Sequence, residues 1–228
     1  MGCVEDMKND LEILYEDNHI IVVFKKINVL SQGDNTNDID MLTIIKKYIK
    51  EKYQKPGNVY LGLVHRLDRP TSGIMVFAKT SKASSRLFKE IENKEFKKSY
   101  LAVVQGYLED KEGILEDYIK KDDNNNSIIS TKENGKYAKL EYKVLSFKNN
   151  LSLVKINLIT GRHHQIRIQF KSRNHPLYGD QRYGKKDQNQ LALCAYKLSF
   201  IHPVTKERLN FVRYPDYGIF KEFNLENL

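Results

Sequence analysis

Apolar residues along this chain recur at two spacings, and the breaks between them divide it into short elements. Leu11 to Lys26 reads as two strands around Glu16-Asp17-Asn18, and the second, Ile20 to Phe24, is apolar without a break, as expected of a strand covered on both faces. Asp40 is placed to cap a helix running to Tyr53, with Met41, Ile44, Ile45, Tyr48 and Ile49 on one face and Lys46, Lys47, Lys50 and Lys52 solvated on the other. An apolar segment, Val59 to Val64, leads into a loop punctuated by Pro70 and Gly73. A second apolar run, Ile74 to Ala78, leaves that loop, so Asp68 belongs to a strand-to-strand turn.

Ser81 is positioned to cap a second helix to Asn93, with Ala83, Leu87 and Ile91 four residues apart. Phe96 to Gly106 returns as a strand that carries Tyr100. From Glu109 to Glu133 the pattern is weak, and the Lys120 to Asn126 run reads as a hairpin tip. Tyr137 to Phe147 and Leu151 to Ile159 alternate as a hairpin around Lys148-Asn149-Asn150. Thr160 and Gly161 suit the start of a third helix, with Ile166 and Phe170 on its apolar face and Arg162, His163 and Arg167 on another. Leu191 to Phe200 and Arg208 to Tyr214 read as closing strands. No internal repeat or domain-joining linker interrupts the 228 residues, which suit a ten-residue tail, 1–10, followed by one domain over 11–228.

Charge changes the picture next. The chain carries 38 Lys and Arg against 29 Asp and Glu, a formal net charge of +9, which favours polyanionic partners, nucleic acid first. From Arg162 to Lys186 the basic residues Arg162, Arg167, Lys171, Arg173, Arg182, Lys185 and Lys186 meet a single acid, Asp180, so that window predicts a basic patch able to grip phosphates. The two cysteines, Cys3 and Cys194, form no pair of metal- or disulfide-type spacing, which points to a reducing cytoplasm. His163 and His164 are adjacent, point to different faces of a helix, and have no third ligand nearby in sequence, so no metal is expected. No apolar stretch approaches the ~20 residues of a membrane span, and no membrane partner is expected.

The chemistry concentrates at His65-Arg66-Leu67-Asp68-Arg69-Pro70-Thr71-Ser72-Gly73. Cations on both sides of Asp68 favour its ionised form, and an oriented carboxylate can act as a covalent nucleophile; a surface ion pair is the plainer alternative. This stretch resembles the signature of RluA-type pseudouridine synthases, in which the Asp is the nucleophile. Three more blocks follow in that family's order: Lys98-Ser99-Tyr100-Leu101-Ala102, Thr160-Gly161-Arg162-His163-His164-Gln165-Ile166-Arg167, and His175-Pro176-Leu177-Tyr178-Gly179-Asp180. The chain departs from the family at Lys26, where Pro is usual, at His163, where Thr is frequent, and at Cys194, where His is frequent.

The resemblance implies a single α+β domain built on a long, mixed, mostly antiparallel sheet with flanking helices, its catalytic cleft where the Asp68 loop meets the Arg162 helix. It implies isomerisation of uridine to pseudouridine in ribosomal or transfer RNA, with no cofactor, by a monomer lacking the amino-terminal RNA-binding domain of many relatives. Asp68 is then the nucleophile, Arg167 its basic partner, and Tyr100 the ring against the target base. Leu193 or Leu191 closes the pocket. Arg66 fills the space left by an extruded base, and Arg69, Arg162, His164, Gln165, Lys171 and Arg173 join it in holding RNA. A non-catalytic RNA-binding protein on the same fold is the alternative. Phosphoryl transfer, suggested superficially by His65-Arg66-Leu67-Asp68, lacks the glycine-rich loop and metal-binding Asp-Phe-Gly that it requires.

Overall fold

The structure, a computed structural model, describes residues 11–225. The expected tail over 1–10 and Cys3 lie outside the described residues. The chain divides into two compact units, one taking in the residues up to Phe96 with Lys197–Arg213, the other Lys97–Tyr196 with the residues from Tyr214 on. Their elements are those of an α+β fold.

In the first unit, β1 (Glu12–Glu16) pairs antiparallel with β2 (Ile20–Lys25), and β2 pairs antiparallel with β4 (Ser72–Ala78). The short β3 (Gly62–Leu63) also lies against β4. Of the apolar run from Val59 only these two residues become strand. Ile20 to Val23 and Met75 to Ala78 have no exposed surface, as their unbroken apolar sequence requires. Helix α1 (Met41–Lys52) starts at Asp40, whose carboxylate accepts from Thr43 N–H. Helix α2 (Ser81–Glu92) is capped by Thr80, one residue before the Ser81 expected, its hydroxyl accepting from Ala83 N–H. The late segment of β10 (Leu193–Ile201) pairs antiparallel with β11 (Arg208–Val212).

The second unit orders its strands β5 (Lys97–Gln105), β9 (Leu151–Leu158), β8 (Lys136–Lys148), β6 (Glu112–Lys121) and β7 (Ser127–Ser130), each antiparallel to the next. Asn149 and Asn150 take φ of 52° and 57° in the two-residue turn between β8 and β9. Asn tolerates that left-handed backbone, which matches the twist of hairpin strands. The weakly patterned 109–133 segment is a hairpin, β6 and β7, whose tip is organised by Asp122 accepting from Asn124 and Asn126 N–H. The third helix, α3 (Gln165–Lys171), begins four residues later than expected from Gly161. A 3-10 helix, Gly218–Glu222, follows β11 and had no sequence signal.

One buried anion fastens α1 to the first strands. Glu16 accepts from Lys52 and Lys79 Nζ at 2.6 and 2.7 Å and from Tyr48 and Tyr53 hydroxyls at 2.9 Å each. Burial alone pushes its carboxyl up, but these four donors reverse that and hold it at about 2. A depressed carboxyl stabilises the fold above its unfolded value and loses that contribution as pH falls through the folded one. We therefore expect Glu16→Gln to cost about 2 to 3 kcal/mol at neutral pH. In thermal melts from pH 7 to 2, the gap between wild type and variant should close below about pH 4.5; a gap independent of pH would count against this balance.

Candidate active site

Asp68 sits half-buried in the loop between β3 and β4, and the backbone around it is fixed on both sides. Ser31, itself buried, donates from Oγ to Leu67 C=O at 2.7 Å and accepts from Leu67 N–H at 3.0 Å. Asp68 C=O accepts from Thr71 N–H at 3.0 Å, and Arg69 C=O accepts from Asn28 N–H at 2.9 Å. Lys25, at the end of β2 with no exposed surface, donates from Nζ to the carbonyls of Lys26, Val29 and Arg69. Burial pushes this lysine down to about 7, with the Asp68 charge opposing and Arg69 adding to the fall. Three carbonyl acceptors match the three N–H bonds of an ammonium, so we read it as the cation.

The cations flanking Asp68 in sequence behave differently from one another. Arg69 is exposed and its guanidinium pairs with Asp38 at 2.6 Å, so its charge is directed away to another loop. Asp38 lies thirty-one residues earlier and was invisible to a local reading. Arg66 is exposed and, among the described residues, has no carboxylate partner. His65 is buried, accepts from Val76 N–H at Nε2, and packs edge-on against Phe96.

In the second unit, Tyr100 is buried in β5 opposite Ile156 of β9. Arg167 is buried in α3, where Nε and Nη2 donate to the two carboxylate oxygens of Asp180, each at 2.7 Å. The ring of Tyr183 lies 5.1 Å from the same guanidinium. Asp180, which appeared in sequence only as the lone acid of a basic window, also accepts from Arg182 and Tyr183 N–H. Gly179 before it has φ +69°, and a Cβ there would collide with the Gln190 carbonyl. Its place in the His175 to Asp180 block was the available signal for this pair.

The start of α3 is set by polar side chains rather than by a cap at Gly161. Gln165 is buried; its Oε1 accepts from Thr160 Oγ1 and Arg162 N–H, and its Nε2 donates to Lys139 C=O. The amide expected to hold RNA is thus spent inside the protein. His164 takes φ 49°, stacks on His163 with ring centres 3.7 Å apart, and meets Tyr183 OH at Nδ1. Burial first, then Arg167 and His163, push its imidazole down to about 2, so it stays neutral.

The basic window divides. Arg173 pairs with Asp117 of β6 at 2.9 Å and Arg167 with Asp180, whereas Arg162, Lys171, Arg182, Lys185 and Lys186 remain exposed. The expected patch is smaller than the window by those two, because the window's own acid takes Arg167 and an acid of β6, distant in sequence, takes Arg173. Leu193 opens β10 and is as buried as Leu191, so burial does not separate them. Among the described residues no three His, Cys, Asp or Glu gather as a metal site, and no helix is long and apolar enough to cross a membrane.

Comparison with known proteins places these blocks. The profile described as RNA pseudouridylate synthase matches residues 19–172. The uncharacterized RNA pseudouridine synthase YhcT of Bacillus subtilis is 36% identical over 203 residues, covering 87% of this chain and 66% of its own length, so the chain spans about two thirds of that relative. The tRNA pseudouridine synthase C of Haemophilus influenzae is 30% identical over 243 residues, covering 96% of this chain and all of its own. The solved structure of human RNA pseudouridylate synthase domain containing 4 shares the fold, with a TM-score of 0.78 at 22% identity over 93% of each chain. A match across more than half of the residues, joined to full-length alignment with one such relative, shows that the chain belongs to the RNA pseudouridylate synthase family.

Proposed function

We propose that this chain converts uridine to pseudouridine in structured RNA, ribosomal or transfer, with Asp68 as nucleophile. The observation that carries the proposal is the Asp68 loop: a carboxylate on a loop whose backbone is fixed at the residues before and after it. Such preorganisation suits a nucleophile that must meet one carbon of a bound substrate, since a misplacement of about 1 Å can cost on the order of a hundredfold.

The reaction breaks the bond from uracil N1 to ribose C1′, turns the base, and forms a bond from C5 to C1′. The C5 hydrogen leaves as a proton and N1 gains one, so product and substrate are isomers. No electron or phosphoryl donor enters. Asp68 attacks either C1′ or the base ring, and expulsion of the base is eased by that covalent step. Tyr100 is assigned to packing and proton movement at the base, and Arg167 to the charge of the nucleophile, both from the resemblance. A uridine inside a stem must be extruded at a cost of about a few kcal/mol. The guanidinium of Arg66, exposed and without a carboxylate partner among the described residues, fits a side chain that occupies the vacated stack. Arg162 and Lys171, both exposed, fit phosphate contacts, whereas Gln165 and Arg173 are committed within the protein.

The names of the relatives direct the search to ribosomal and transfer RNA. Sequencing of pseudouridines in both RNA pools, from cells with and without the gene, should show one or a few sites lost. On such a site, Asp68→Asn should bind RNA and lower turnover at least about a thousandfold; comparable rates would remove the nucleophile. Tyr100→Phe should fold and slow single-turnover conversion about a hundredfold if its hydroxyl moves the proton. Ser31→Ala should lower kcat about tenfold with KM unchanged, and Ser31→Thr should restore most of it. If Ser31→Ala instead raised KM alone, Ser31 would act on binding and not on the placement of Asp68.

A further inference from the structure

Lys98 has no part in the machinery described so far. It lies two residues before Tyr100 on β5, so both side chains leave the same face of the strand, opposite Leu158 and Ile156 of β9. Among the described residues its ammonium has no hydrogen-bond or ion-pair partner, and burial pushes it down to about 8 with no neighbouring acid to offset the fall. Lys98 is half-buried, and a cation partly withdrawn from water without a counter-ion costs free energy that an anionic ligand would return.

The surroundings show where such a ligand would enter. A Cβ built on Gly161 would lie 3.8 Å from Lys98 Nζ and meet nothing else within 4 Å, so the missing side chain leaves the amine open to an exposed loop. The Gly161 N–H has no acceptor among the described residues. Beside it Arg162 is exposed, with Nε donating to Tyr137 C=O at 2.8 Å and both Nη groups uncommitted. The loop carrying these donors is rigid: Lys139 C=O accepts from Ile159 N–H, Thr160 N–H and Gln165 Nε2.

We propose that Lys98 Nζ, the Gly161 N–H and the Arg162 guanidinium form one fixed phosphate-binding point that sets the register of the RNA backbone beside Tyr100. The inference rests on RNA being the substrate. Lys98 serves as a compact point charge, and Arg162, held at Nε, presents its remaining donors to the same phosphate. A Cβ at Gly161 would make only ordinary contact with the amine, and its backbone is not in the left-handed region, so the glycine serves by keeping the ligand's approach to the amine clear.

The test is RNA binding by the full chain carrying Asp68→Asn, using a fluorescein-labelled hairpin with uridines in its loop, across roughly 50 to 300 mM salt. Losing one phosphate contact should reduce the slope of log affinity against log salt by about 0.7 to 0.9. We expect that reduction, with binding about tenfold weaker at the lower salt, for Lys98→Gln. Lys98→Arg should restore the slope. Gly161→Asp sets a carboxylate beside Nζ and should give the same loss without touching β5, which keeps the test decisive if Lys98→Gln fails to fold. An unchanged slope in folded Lys98→Gln or in Gly161→Asp, or a Lys98→Arg chain as weak as Lys98→Gln, would overturn the inference. If wild type formed no pseudouridine yet these slopes changed, the reaction would be wrong and the phosphate point would stand.

Discussion

The second unit is built around the ion pair between Arg167 and Asp180. Both groups are almost completely removed from water, and a lone charge in such a place costs about 3 to 5 kcal/mol when its partner is deleted. The protein meets that cost with geometry. Two parallel N–H bonds at 2.7 Å use the planar fork of the guanidinium, two backbone amides share the remaining lone pairs of Asp180, and the face of Tyr183 covers the arginine. Gly179 lets the chain turn tightly enough for Asp180 to reach its partner.

Other contacts extend outward from this pair. The Tyr183 hydroxyl accepts from Ser127 N–H at the start of β7 and meets His164 ahead of α3, while Ser127 Oγ donates to His163 C=O. Three segments distant in sequence therefore close on one charge pair. His164, kept neutral by burial first and then by Arg167 and the other nearby cations, can share a hydrogen bond there without adding a further positive charge. The sequence puts His163 and His164 on different faces of a helix, whereas in the fold both precede α3 and their rings stack.

Legibility in the sequence followed the range of the interaction responsible. The Asp40 cap, the hairpin at Asn149-Asn150 and the buried runs at Ile20 and Ile74 each depend on side chains within a few residues, and each emerged where the pattern put it. The third helix was misplaced because its start is settled by Gln165 folding back onto Thr160, Arg162 and Lys139, a set of bonds with no periodic trace. Asp117 pairs with Arg173 from 56 residues away, so counting charges within a window overstated the patch. The Asp68 stretch was legible as a motif, but its supports, Ser31 and Lys25, sit on an earlier strand and loop and carried no mark of that duty.

The hydroxyl of Ser31 replaces, with one oxygen, what a neighbouring strand would supply to Leu67 through two peptide groups. A strand neighbour fastens every second residue along its length; a solitary hydroxyl fastens one. Stiffness is accordingly supplied residue by residue, by Ser31 at Leu67 and by Lys25 and Asn28 at Arg69. The exposed guanidinium of Arg66 can sample several rotamers over a fixed main chain while Arg69 is tied to Asp38, so a flexible ligand can be met by one supple side chain while the neighbouring carboxylate keeps its aim.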